Sequence, residues 1–154
     1  MRVLVIGDDE ELAETVAAGL RRARMAVDVA LDGSAGLARA RVADYHVIVL
    51  DLELPSLHGD EVCAQPVAAG GPSRVLMLAG AAENEDLVER VGLGADARLP
   101  KPFAFAMVVA RIGALARRSD PSIPPVLEPP RGWMLRCSAS SMVKAAKSLA
   151  HAGR

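Results

Sequence analysis

His46-Val47-Ile48-Val49-Leu50-Asp51-Leu52-Glu53-Leu54-Pro55 is an apolar run that ends in a carboxylate. A near-continuous apolar run bounded by turn residues reads as a strand buried on both faces, the habit of parallel sheets. Asp51 then stands at the carboxyl end of that strand. Open α/β sheets place their ligand crevice along that edge. Pro55 and Gly59 stop regular structure and set a loop beside the carboxylate. The stretch alone also admits a plain reading, in which Asp51 is a turn or helix-cap acid.

Upstream, Arg2–Ile6 is a short β-rich run, followed by Gly7-Asp8-Asp9-Glu10. Leu12, Val16 and Leu20 then recur at helical spacing. Acids ahead of and within a first helical turn suit the positive end of the helix dipole, which accounts for Asp8 and Asp9 without any function. Ala26–Ala30 reads as a second strand, Asp32-Gly33 as a turn, and Ala35, Ala38 and Val42 as one face of a second helix. The quoted stretch supplies the third strand, over 46–50. Downstream, a third helix fits 58–69, ended or kinked by Pro66. Arg74–Ala79 is a fourth strand, and Leu87, Val88 and Val91 mark a fourth helix. A short strand over 95–99 is broken by Pro100-Lys101-Pro102, and Val108, Ile112 and Leu115 mark a fifth helix ending at Arg117-Arg118.

Strand and helix alternate five times, which specifies an α/β fold: a five-stranded parallel sheet with helices on both faces. In such a sheet the loops that follow the strands share one edge. Asp8 and Asp9, Asp51 and Lys101 therefore converge. Crowded carboxylates repel, so something positive must neutralise them. Mg²⁺ is the natural candidate, a hard cation that takes one or two carboxylates plus water and phosphate.

The 154 residues suffice for one domain plus an appendage. Hydrophobic residues make up 51% and aromatics only 3%, so aliphatic side chains and alanine must fill the core. A net charge of -1 gives no overall pull toward nucleic acid or an anionic membrane. Cys63 and Cys137 have neither zinc nor redox spacing and fit a reducing compartment. Cys63 reads as a small apolar filler, and His46, His58 and His151 lack ligand spacing. The opening residues do not form a signal peptide, and no apolar segment reaches the ~18 residues of a membrane helix. The expectation is a soluble, cytoplasmic protein.

Half of the ten prolines fall in 119–130, so 119–131 reads as an extended linker after a domain over 1–118. The remainder, 132–154, carries Arg136, Lys144, Lys147 and Arg154 and no acids. Independent domains usually need ~50 residues. The tail is expected to be a short helix or disordered, capable of weak, nonspecific contact with nucleic acid.

Asp8-Asp9 after the first strand, Asp51 in Val49-Leu50-Asp51-Leu52-Glu53-Leu54-Pro55, and Lys101-Pro102-Phe103 after Gly94-Ala95-Asp96 together resemble the receiver domain of two-component response regulators. The likeness spans 1–118. Gly94-Ala95-Asp96 and Val109-Ala110-Arg111-Ile112 are similar to the OmpR/PhoB branch. The resemblance, not the periodicity, supplies the flavodoxin-like strand order 2-1-3-4-5. It implies that Asp51 accepts a phosphoryl group from a histidine kinase. It implies Mg²⁺ held by Asp9 with Asp8, by Asp51 and by the backbone carbonyl of Glu53. Lys101 would contact the phosphoryl oxygen, with the backbone N–H groups of Ala79 and Gly80, and its bond to Pro102 would be cis. Homodimers would form through the fourth helix, fifth strand and fifth helix, with Arg90, Asp96 and Arg111 among the charges. The output would be transcription regulation, although no complete DNA-binding domain is expected in this chain.

Three positions depart from that pattern. The fourth strand of a receiver normally ends in Thr or Ser, where Ala79 stands here; an aromatic switch residue is replaced by Arg98; and the second acid after Asp96 is Ala97. The expectation is an acceptor that still works but signals weakly. Rival readings are a pseudo-receiver that binds a partner or ligand without phosphate, a phosphatase with Asp51 as nucleophile and Glu53 as acid, and a flavodoxin-like cofactor binder.

Overall fold

Side chains alternate across a strand, so a strand apolar at every position must be covered on both faces. In β1 (Arg2–Ile6), Val3 and Val5 join one core and Leu4 and Ile6 the other. The computed structural model describes residues 1–52, 54, 72–80, 95–123 and 136–137. Its further elements are α1 (Glu10–Arg22), β2 (Ala26–Ala30), α2 (Gly33–Val42), β3 (Val47–Asp51), β4 (Arg74–Ala79), β5 (Ala97–Pro100), β6 (Phe103–Ala104), α3 (Phe105–Ser119) and β7 (Arg136–Cys137). Strands β1 to β5 form one parallel sheet in the order β2-β1-β3-β4-β5, as expected. Helices α1 and α3 cover one face, through Val16, Leu20, Phe105 and Ile112. Leu37 of α2 packs on the other with Leu4, Ile6, Ile48 and Leu50.

Both early helices start on aspartate. Asp9 Oδ1 accepts the Leu12 N–H at 3.0 Å, and Asp32 Oδ1 accepts the Ala35 N–H at 2.7 Å. The Asp32-Gly33 turn is thus the N-cap and first residue of α2. Each cap of this kind contributes ~1 kcal/mol. Small residues let α1 and α2 lie close to their neighbours. A Cβ on Gly19 would stand 2.5 Å from the Phe105 ring, and one on Gly36 would stand 2.4 Å from Ile6.

The amino edge of the sheet is cross-tied. Tyr45 Oη donates to Asp28 at 2.7 Å, and Arg2 reaches the same carboxylate at 3.1 Å while stacking 5.1 Å from the Tyr45 ring centroid. Ser73 Oγ donates to the Tyr45 carbonyl, and Ser119 Oγ to that of Pro72. The Arg2 N–H donates to His46 Nδ1 at 3.1 Å, giving that histidine a structural role. The Tyr45 hydroxyl holds the Asp28 carboxyl below its ordinary value, and burial pushes the Tyr45 phenol up.

Beyond β5, Phe103–Ala104 pairs antiparallel with Arg136–Cys137, so this part of the basic tail is a strand. Among the described residues no helix is long and apolar enough to cross a membrane. The expected helices over 58–69 and around 87–91 lie outside the described residues, as do Glu53, Arg90, Cys63, His58, His151 and most of the tail.

Candidate functional site

The third strand runs one residue further than its apolar run, so that Asp51 is its last member. Asp51 lies beside Leu78 of β4 and is only 4% exposed, a charged residue inside the core. A carboxylate that deep needs a counter-charge. Lys101 Nζ supplies it, donating to Oδ1 at 2.9 Å and to Oδ2 at 2.8 Å. Lys101 is itself positioned by the backbone. Its N–H donates to the Ala79 carbonyl at 2.7 Å, and the peptide bond to Pro102 is cis, as the resemblance implied. Two residues fifty positions apart thus meet because β3 and β5 flank β4 and end at one edge.

Asp8 and Asp9 are exposed in the β1–α1 connection, at the same edge. Asp9 spends Oδ1 on capping α1. Sequence reasoning passed over the residue before them. Ile6 pairs with Leu50, so position 7 falls opposite Asp51. It is a glycine, whose Cβ would stand 3.4 Å from Asp51 Cβ and 3.9 Å from Oδ2. Register alone could have located it, once β1 and β3 were taken as neighbours.

The donor chemistry at this edge is all oxygen and suits a hard cation. The arrangement does not assemble the expected set, however. Among the described residues no group of three or more His, Cys, Asp or Glu side chains is placed to hold a metal ion. Lys101 takes both oxygens of Asp51, and the nearest position on the neighbouring strand end carries no side chain. Among the described residues, Asp8, Asp9 and Asp51 are thus not gathered into one three-carboxylate group.

The remaining site positions fall as follows. Ala79 is fully buried at the end of β4 and presents only a methyl group, with Gly80 half-buried behind it. Arg98 is half-buried on β5, beside Met77. Asp96 is turned inward. It accepts the Val75 N–H at 2.8 Å and pairs with Arg74 at 3.1 Å, which ties the start of β4 to the approach to β5. Arg111 is exposed on α3.

Comparison with known proteins agrees with this geometry. Residues 3–113 match the family model for the response regulator receiver domain. The transcriptional regulatory protein CutR of Streptomyces coelicolor is 55% identical over 128 residues, covering 83% of this chain and 59% of CutR. CusR of Escherichia coli, also a transcriptional regulatory protein, is 36% identical over 118 residues, covering 77% of this chain and 52% of CusR. The chain thus spans little more than half the length of these relatives. Among solved structures, the receiver domain of Francisella response regulator 1452 superimposes with a TM-score of 0.72 at 27% identity, covering 77% of this chain and 98% of that one. Its sheet order, its buried strand-end aspartate with its lysine, and these matches together establish that the chain belongs to the response regulator receiver domain family.

Proposed function

We propose that Asp51 is the phosphoacceptor and that a sensor histidine kinase is its donor, in the cytoplasm. The observation that carries this is the Lys101 ammonium bonded to both oxygens of a buried strand-end carboxylate. One Asp51 oxygen attacks phosphorus and forms the O–P bond. The donor's N–P bond breaks, and its nitrogen leaves with the electron pair and takes up a proton. Lys101 releases the attacking oxygen and follows the charge onto a phosphoryl oxygen. Phosphoryl transfer consists mainly of positioning and charge neutralisation, and this residue supports both. The backbone N–H groups of Ala79 and Gly80 are further donors in the proposal.

The output belongs to the same proposal: transcription regulation of the OmpR/PhoB kind, through the surface that includes β5 and α3. Ala79 weakens it, because a hydroxyl bonded to a charged group is worth ~1.5–3 kcal/mol, or roughly one to two decades in equilibrium constant. Arg98 adds to that, since a guanidinium does not enter an apolar pocket cheaply. The test is incubation with phosphoramidate followed by intact mass measurement. The native protein should gain one phosphoryl group and Asp51→Ala none. An unmodified native protein, or equal modification of Asp51→Ala, overturns the assignment.

A further inference from the structure

We propose that Gly7 sets the cation chemistry of the Asp51 pocket: by leaving out a side chain opposite Asp51, it makes Mg²⁺ binding weak and leaves Lys101 as the principal counter-charge. The inference rests on the reading of Asp51 as the acceptor.

Glycine usually has a local reason. Gly19 and Gly36 have one, since a Cβ at either would run into Phe105 or Ile6 at 2.5 and 2.4 Å. Among the described residues Gly7 has neither a steric nor a conformational reason. Its hypothetical Cβ meets Asp51 at 3.4 Å, an ordinary van der Waals distance, and its backbone lies outside the left-handed region. Its N–H simply continues the sheet, donating to the Ala30 carbonyl at 3.1 Å. The described neighbours leave room for a side chain at position 7, and that side chain would lie against the acceptor.

The consequence is electrostatic. A second carboxylate beside Asp51 would repel it, and a dication is the efficient remedy for such a pair. Without one, the Lys101 ammonium already answers the Asp51 charge, and a dication shares the Asp51 oxygens with that ammonium. Asp9 is a poor substitute because one of its oxygens caps α1. Among the described residues Asp8 and Asp51 remain as carboxylate donors, and a further one at position 7 is what Gly7 leaves out.

The test is Mg²⁺ binding by calorimetry and by thermal shift, for the native protein, Gly7→Asp and Gly7→Asn. In about 10 mM MgCl₂ the native midpoint should move by less than ~2 °C, since a ligand at or below its Kd adds little stability. Gly7→Asp should bind Mg²⁺ at least ~10-fold more tightly, equal to about 1.4 kcal/mol. It should also be less stable than native in EDTA and recover with Mg²⁺. Gly7→Asn, of the same size without the charge, should behave as native. If Gly7→Asp folds only with Mg²⁺, that dependence is itself the expected result. Native binding as tight as that of Gly7→Asp, or an equal gain in Gly7→Asn, overturns the proposal. Neither outcome touches phosphorylation of Asp51, which the mass measurement decides separately.

Discussion

Lys101 and Asp51 form a pair in which each ion is mostly out of water, with side chains 16% and 6% exposed. Removing one partner from such a pair strands the other. Lys101→Met should therefore cost about 3 kcal/mol by urea denaturation. The double variant Lys101→Met/Asp51→Asn should recover a substantial part of that loss, because no buried charge is left over. Equal losses would mean that packing, not charge, holds the lysine. At the other edge, the Asp28–Tyr45 bond predicts a pH profile. Asp28 sits below its ordinary value of 3.8, so its stabilisation is present above 3.8 and is lost as pH falls through the lowered value. Tyr45 sits above 10.0, so its stabilisation is present below 10.0 and is lost as pH rises through the raised value. Tyr45→Phe should lower the plateau between them by about 1 kcal/mol, a value reduced for the exposure of Asp28, and should soften both shoulders in urea midpoints taken across pH. The meeting of Asp51 with Lys101 was legible because each closes an apolar run at a strand end. Gly7 was not, because a missing side chain leaves no pattern, and its meaning comes only from the strand alongside.

Helix α1 offers two tests at the scale of one element. Gly19→Ala gains helix propensity of ~1 kcal/mol but forces a methyl onto the Phe105 ring, and overpacking a core costs ~1–3 kcal/mol. The net should be destabilising by roughly 1 kcal/mol in thermal or urea unfolding. At the helix start, Asp9→Ala should lose ~1 kcal/mol and Asp9→Ser almost nothing, since serine caps equally well. A drop in Mg²⁺ affinity with Asp9→Ser would assign that carboxylate to a cation after all. Strands β1, β2 and β4 could be read to the residue: β1 and β4 are mainly apolar runs, and β2 alternates its valines about Asp28. The third strand is displaced by one from its expected 46–50. His46 enters as a hydrogen-bond acceptor for the backbone of Arg2, and Asp51 stays in the ladder because Lys101 balances its charge. The fifth starts at Ala97 rather than 95, since Asp96 turns its carboxylate onto the Val75 N–H. It can end on Pro100 because β5 is an edge strand, where a missing N–H is tolerated. The ladder of Phe103–Ala104 with Arg136–Cys137 was invisible in advance, as two residues carry no periodicity.

Across the whole molecule, the expected dimer surface is partly committed within the chain. Asp96 is held by Arg74 and the Val75 amide, and position 97 brings no acid to replace it. Phosphoryl-driven dimerisation should accordingly be weak in sedimentation velocity. Ala79→Thr, by restoring a hydroxyl near the acceptor, should tighten it by roughly 10–100-fold. No difference between the two would place the weakness in the surface itself. The ties among Arg2, Asp28, Tyr45, Ser73, Pro72, Ser119, Arg74 and Asp96 have a mechanical consequence. They stitch the base of the sheet, at the edge opposite Asp51. A disturbance at Asp51 therefore acts on strands whose far ends are anchored to one another, so it should fade along the strands before it reaches that base.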